Sequence, residues 1–288
     1  SQKGKMHPGA DDNASGISAL LEIAEYLMAL KKKGLLKSNY DILIAAWSGE
    51  EIGLLGSAHF TRVLGLGKSQ SKKRKVISYL NLDMVGRYKD KLTLHGIGSS
   101  PAWKKLIQRA NIPVGLNLNL QKDSHIPTDT TSFFPKGVPI LSAFTGLHPD
   151  YHSPSDTPEK INYEGVADCA KLYVRLVEGM ALLENMDYVA QAPPPKSRGK
   201  LRVYLGTIPD YSQTDRKGLL LSGVSKGGPA DLAGLQSEDL VIELGGKKVE
   251  TIYDYTDAIS TLTAGQQSVV TIIRKGKTLQ LKITPSSR

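Results

Sequence analysis

Asp11-Asp12-Asn13, Glu50-Glu51, Asp83 and His152 sit in four short segments: Gly9-Ala10-Asp11-Asp12-Asn13, Ser48-Gly49-Glu50-Glu51, Asn81-Leu82-Asp83-Met84 and Asp150-Tyr151-His152. Carboxylate and imidazole donors without thiolates suit a catalytic zinc, or a similar divalent ion, better than a structural one. Adjacent carboxylates repel, so Glu50-Glu51 makes sense if one binds a cation while the other handles a proton. A carboxylate such as Asp12 has two oxygens and can bridge two ions ~3.5–4 Å apart, the spacing of two-metal hydrolytic sites. Each residue also has an ordinary reading. Asp12 or Asn13 can cap the following helix, Glu-Glu can be a solvated face, Asp83 a turn former and His152 a surface residue. What separates the readings is that all four segments lie at predicted strand ends or helix starts.

The elements that must position them alternate between helix and strand. Ile17, Leu20, Leu21, Ala24, Leu27 and Met28 recur at helical spacing and predict a helix from near Asn13–Ser15 to before Gly34. Asp41 to Trp47 is a short continuous apolar run, as expected for a strand buried on both faces. A helix is predicted over Leu54–Val63, strands over Val76–Met84 and Lys91–His95, and a helix over Ala102–Ala110. Strands over Leu116–Leu120 and Val138–Phe144 and a long helix over Glu164–Glu184 complete the pattern. This predicts an α/β fold, an αβα sandwich with a largely parallel central sheet. In such sheets ligands collect beyond the carboxyl ends of the strands, which is where the four segments fall.

The composition breaks once, at Gln191-Ala192-Pro193-Pro194-Pro195-Lys196-Ser197-Arg198-Gly199, a stiff exposed linker. It separates a domain over 1–190 from one over 200–288. The 288 residues carry a net charge of +9, with basic clusters at Lys31-Lys32-Lys33 and Lys72-Lys73-Arg74-Lys75. Neither cluster is interleaved with aromatics, so a nucleic-acid partner is not expected. The first ends a helix, where cations complement the dipole. No apolar run approaches the ~20 residues of a membrane helix, so no membrane span is expected. Cys169 is the only cysteine, which excludes an intrachain disulfide framework, and its apolar surroundings predict a small buried hydrophobe.

The motifs resemble those of the M28 zinc aminopeptidases. The matching segments are His7-Pro8-Gly9-Ala10-Asp11-Asp12-Asn13-Ala14-Ser15-Gly16, Trp47 to Ser57, Asn81-Leu82-Asp83-Met84-Val85-Gly86-Arg87 and His148-Pro149-Asp150-Tyr151-His152-Ser153-Pro154-Ser155-Asp156-Thr157. They run in family order across nearly the whole first domain. The resemblance implies two Zn2+ ions bridged by Asp12, with Glu51 and His152 completing one ion and Asp83 holding the other. Glu50 is then the general base, which takes a proton from the attacking water and passes it to the leaving amine. Tyr151 is implied as a donor to the developing oxyanion; packing beside a ligand is its other reading. Asp129, in Pro127-Thr128-Asp129-Thr130-Thr131-Ser132-Phe133, falls where the family lines its substrate pocket and is a candidate partner for a substrate α-amine, or else a helix cap. The family's upstream His-x-Asp element is not found before Gly9, so the second zinc site is expected to be incomplete, as in a fragment beginning inside the domain. His7 matches a different family position and is not assigned as a ligand.

The second domain resembles PDZ domains in the strand order of bacterial protease-associated versions, through Tyr204-Leu205-Gly206-Thr207, Gly218 to Val224, Gly228-Pro229-Ala230 to Ala233-Gly234-Leu235 and Asp239 to Gly246. The resemblance implies an added-strand groove for a C-terminal peptide, its carboxylate captured by Tyr204, Leu205, Gly206 and Thr207 and its wall formed by a helix over Tyr253–Leu262. A spacer role is the alternative, and Pro209 interrupts the peptide-pairing strand. The combined expectation is a dizinc aminopeptidase acting on peptide substrates and carrying a peptide-binding module, secreted or periplasmic by resemblance. The alternatives are a dizinc carboxypeptidase and a non-catalytic peptide-binding scaffold.

Overall fold

The strand Ile140–Phe144 (β4) organises the first part of the chain because it has hydrogen-bonded neighbours on both sides. It pairs in parallel with Tyr79–Leu82 (β1), with Leu82 opposite Ala143, and antiparallel with Leu92–His95 (β2). Leu118–Gln121 (β3) adds to β2 in parallel, which gives the order β1-β4-β2-β3. The computed structural model describes residues 4–67, 75–192, 203–210 and 217–287. Among them are two compact units, Ser1–Thr145 with His152–Ala192, and Gly146–Tyr151 with Pro193–Arg288. The Pro-rich stretch from Pro193 and most of the Lys72–Lys75 cluster lie outside the described residues.

Side chains on β4 alternate between two cores, as the two-residue period of a strand requires. Leu141 and Ala143 join the larger cluster with Ala19, Ile23 and Leu27 of helix α1 (Gly16–Lys32), Trp103 and Ile107 of α3 (Ala102–Asn111), and Leu172 and Leu176 of α4 (Tyr163–Ala181). Ile140 points the other way, into Phe133, Phe134 and Val138, against which Trp47 and Phe60 of α2 (Leu55–Val63) pack. Helices on both faces of a mixed sheet give the expected αβα sandwich, with two of its three strand pairings parallel. Cys169 is fully buried on α4, where burial pushes its thiol up to about 12. Lys31 and Lys32 occupy the last turn of α1.

One expected strand is corrected. Residues 41–47 form no regular element and pair with no strand among the described residues, and Ile42, Leu43 and Ile44 are 37%, 67% and 38% exposed. An apolar run becomes a buried strand only if a neighbour supplies a hydrogen-bond ladder and a covering layer. Here a cavity of about 1110 Å³ lies between this segment and the outer edge of β1. The remaining elements overlap their predicted positions with ends shifted by a few residues, the strand predicted over Val76–Met84 contracting to Tyr79–Leu82 and that over Leu116–Leu120 moving to Leu118–Gln121.

The second unit is β-rich. Leu219–Val224 (β7), Leu240–Leu244 (β8), Ser268–Arg274 (β10) and Lys277–Ile283 (β11) form an antiparallel sheet ordered β11-β10-β8-β7-β6, with Thr207–Pro209 (β6) on its edge. Pro209 closes β6 at a register shift, a position where its missing N–H costs no regular ladder bond. Val203–Tyr204 (β5) pairs with Ser286–Ser287 (β12), and Lys247–Lys248 (β9) pairs with β8. Pro229–Leu232 (α5) and Ile252–Ser260 (α6) are its two helices. The first turn of α6 is set by a capping box, Thr251 accepting from the Asp254 N–H while Asp254 accepts from the Thr251 N–H.

Candidate metal centre

Asp12 stands in an irregular turn, Ala10–Ser15, directly before α1. Gly9 enters it at φ 61°, and a Cβ there would meet the Asp12 carbonyl oxygen at 2.5 Å, so glycine is required. Asp12 and Asn13 leave helical geometry, and the peptide bond between them is cis. Glu50 and Glu51 sit on the turn that follows residues 41–47 and opens α2. Its backbone is closed by Leu54 N–H to Glu50 O (2.9 Å) and Gly56 N–H to Ser48 O (2.8 Å). Asp83 follows β1, its N–H still reaching Ala143 O at 3.3 Å. His152 lies beyond β4. Leu54, Met84 and His152 all hold positive φ (57°, 52° and 51°) without being glycine. Strained backbone of this sort persists only where surrounding contacts over-determine it, and functional sites are where it clusters.

Three of these side chains converge. His152 Nε2 is 2.7 Å from Glu51 Oε1 and 3.2 Å from Asp12 Oδ2. One donor atom each from Asp12, Glu51 and His152 lies within 4.8 Å of the other two, the sole such group among the described residues. Glu50 and Asp83 are not in that group but line the same large cavity as Asp12, Glu51 and Asp129. His7 lines the shallow pocket around Asp12, Glu51 and His152 and also stays outside the three-donor group.

The electrostatics are those of negative charges gathered without enough cation. Burial, then the charges of Glu51, Asp129 and Asp12, push Glu50 up to about 7. Burial, then Asp12 and Glu50, push Asp83 up to about 8. Hydrogen bonding to Asp12, reinforced by Glu51, pushes His152 up to about 9, so the imidazolium is the positive charge between the two carboxylates. A divalent ion at that point would replace the proton and relieve the same repulsion, so the donor set fits zinc.

Asp129 is mostly buried, and burial raises its pKa. Its Oδ1 has no hydrogen-bond partner among the described residues. The cap reading of this residue is corrected: Thr128 is the cap, accepting from Thr130 N–H, and Asp129 is the first residue of the short turn. The cap before α1 is partly as expected, since Asn13 Oδ1 accepts from Gly16 N–H at 3.1 Å. Tyr151 belongs to Gly146–Tyr151, which groups with the second unit. In that unit Tyr204 is 40% exposed while Leu205 is buried, Gly206 takes φ 74°, and the Thr207 hydroxyl meets the Tyr255 hydroxyl at 2.7 Å.

Motif reading missed the residues that hold these candidate side chains in place. Asp11, fully buried, accepts from Gly86 N–H (2.7 Å) and the Ser15 hydroxyl (2.9 Å). Asn13 brackets Asp83, donating to Leu82 O (2.9 Å) and accepting from Met84 N–H (3.1 Å). Buried Asp156 and half-buried Arg87 form an ion pair at 2.8 Å. All four stand inside the motif segments, but no spacing rule distinguishes them from their neighbours.

Residues 2–177, more than half the chain, match the sequence profile of Peptidase family M28. The chain belongs to peptidase family M28. Residues 205–284 match the PDZ domain. Among curated relatives, aminopeptidase YwaD of Bacillus subtilis is 30% identical over 182 residues, covering 59% of this chain and 37% of its own. A probable periplasmic serine endoprotease, DegP-like, of Chlamydia trachomatis is 38% identical over 93 residues, 31% of this chain and 19% of its own. The chain thus spans well under half the length of these relatives. Among solved structures, a zinc aminopeptidase from Bacillus subtilis is 27% identical with a TM-score of 0.51, covering 65% of this chain and 44% of its own. LapB from Legionella pneumophila shares the fold at 23% identity and a TM-score of 0.53, over 62% of this chain and 48% of its own.

Proposed function

We propose that the first domain is the catalytic part of a zinc-dependent aminopeptidase that hydrolyses N-terminal residues of peptides. The observation that carries this reading is the convergence of Asp12, Glu51 and His152 into one three-donor group, with Glu50 and Asp83 on the same cavity, in a chain of the M28 family. Asp12, Glu51 and His152 would hold one ion, and Asp83, on the same cavity, would contribute to a second. Zinc, when bound, supplies a Lewis acid that polarises the scissile carbonyl and lowers the pKa of water.

The chain's own residues do the rest. Glu50, held near 7 by burial and neighbouring charge, is poised to take a proton from the attacking water and deliver it to the leaving amine. Asp129 offers an unpaired carboxylate oxygen on the same cavity, suited to a substrate's α-ammonium group and thereby to reading the N-terminus. Tyr151 is proposed as a hydrogen-bond donor to the developing oxyanion.

Residues 1–190 form this catalytic domain, 191–199 a linker and 200–288 a PDZ module that binds C-terminal peptides through Tyr204, Leu205, Gly206 and Thr207. The compartment we favour is the periplasm or the outside of the cell, in keeping with the periplasmic naming of the Chlamydia relative. No helix among the described residues is long and apolar enough to cross a membrane.

The test is hydrolysis of amino-acid anilides by the full-length product, with bound zinc measured in parallel, beside Glu50→Gln. The variant should keep its zinc and lose about 10²–10⁴-fold in kcat. Zinc bound but no hydrolysis across a broad panel of anilides and peptides would remove the enzyme reading, and release of C-terminal residues instead would make the enzyme a carboxypeptidase.

A further inference from the structure

We propose that Asp156, held by Arg87, is a positioning residue for the metal centre, joining the three loops that carry Asp12, Asp83 and His152 into one rigid unit. The proposal rests on the zinc reading above. Asp156 receives three consecutive backbone amides. Its carbonyl accepts from Ala10 N–H at 3.2 Å, and its carboxylate Oδ2 accepts from Asp11 N–H at 2.9 Å and Asp12 N–H at 3.2 Å. These amides lead directly into the carboxylate that lies 3.2 Å from His152. The other oxygen, Oδ1, accepts from the Arg87 guanidinium at 2.8 Å, with the Asp156 side chain 2% exposed.

Each partner belongs to a different ligand loop. Asp156 stands four residues after His152, and its own N–H is bound by Ser153 O at 3.1 Å. Arg87 stands four residues after Asp83, and its N–H donates to Thr145 Oγ1 at 3.1 Å, at the end of β4. The Thr145 hydroxyl in turn donates to Met84 O at 2.6 Å. A second set of bonds runs the same way, from Asp11 to Gly86 and from Asn13 to both sides of Asp83. The fit is close: a Cβ on Gly86 would stand 2.8 Å from Asp11 Oδ1.

The chemistry explains why an aspartate is needed. A carboxylate presents only acceptors, and the Asp11 and Asp12 amides and the Arg87 guanidinium that meet it are N–H donors. An asparagine of the same shape has one oxygen and one NH2, so it must set a donor against either Arg87 or the Asp11 and Asp12 amides. That leaves a buried donor without its partner and lets the Asp12 carboxylate drift relative to His152 and Asp83. Metal affinity is sensitive to such outer contacts, with typical losses of about 10–100-fold.

The experiment measures zinc affinity by competition with a chromophoric chelator, together with urea unfolding of the metal-free protein, on the full chain. Asp156→Asn should weaken zinc binding of the folded protein by about 10–100-fold. Asp168→Asn, at a half-exposed aspartate paired with Lys171 on α4, serves as the charge control and should leave zinc binding unchanged. If Asp156→Asn does not fold, Arg87 carries the test at the same carboxylate. Arg87→Met should weaken zinc binding, and Arg87→Lys, which keeps a charged donor, should restore most of it. Lower stability with wild-type zinc affinity in these variants would reduce Asp156 to a structural role and overturn the proposal. Failure of the unaltered protein to bind zinc at all would instead count against the functional reading, whatever the variants do.

Discussion

Asp12 and Asp83 hang from backbone that polar side chains bracket on both sides, whereas Glu50 and Glu51 hang from a turn reached through an unpaired stretch. The first pair is tied by Asp11, Asn13 and Asp156. The second follows residues 41–47, which have no strand partner among the described residues. Composition does not separate the two regions, since 41–47 is as apolar as β4. What separates them is whether backbone N–H and C=O groups find partners, because an apolar run without a ladder stays partly exposed. Local order at the centre therefore comes from polar side chains aimed at backbone groups, and only secondarily from apolar content.

Removing a proposed ligand should break the convergence outright. His152→Ala takes away the only imidazole of the three-donor group, and zinc affinity measured by chelator competition should fall by at least about 100-fold, the upper range seen even for outer contacts. A smaller but still large effect is expected at Gly16, where a Cβ would meet Leu82 O at 2.5 Å and Asn13 Oδ1 at 2.3 Å. Gly16→Ala should destabilise the chain by about 1–3 kcal/mol in urea unfolding, because the bracketed region has no room to give.

Proton binding sharpens the comparison further. Asp83 and Glu50 are raised to about 8 and about 7 from ordinary values of 3.8 and 4.5. Between those limits the folded protein holds protons that the unfolded chain has lost, so metal-free stability falls as pH rises. His152, raised from 6.5 to about 9, acts in the same direction: its contribution is complete below 6.5 and is lost as pH rises through about 9. The unfolding temperature in chelator should therefore be lower at pH 8 than at pH 5. Added zinc should stabilise more at pH 8, where fewer protons compete. A pH-independent unfolding temperature would show that the acidic cluster is not strained.

The smallest effect is expected in the unpaired stretch. Leu43, 67% exposed, should tolerate Leu43→Ser within about 0.5 kcal/mol. A loss comparable to that of Gly16→Ala would mean that residues 41–47 are packed in solution and that the contrast is false.

The four motif segments, the helix–strand alternation and the β-rich second domain were legible in the sequence because they follow from residue type and period. Apolar spacing reports which face of an element is covered, and four segments in family order report the chemistry. The strand predicted at 41–47 failed because periodicity records what a segment is able to bury, not whether a neighbour is there to bury it. Asp129 lines the large cavity, but it was not separable from a cap until Thr128 was seen to take that role.

By itself, then, the sequence determined the types of the candidate donor side chains, their order along the chain and the αβα frame beneath them, since these depend on side-chain chemistry and local repeat alone. Only the tertiary structure decided that Glu51 and His152, 101 residues apart, meet at 2.7 Å. It also decided that Asp156 gathers the amides before Asp12. Contacts between distant residues are chosen by how sheet and helices pack, and a one-dimensional pattern does not carry the distance across a fold.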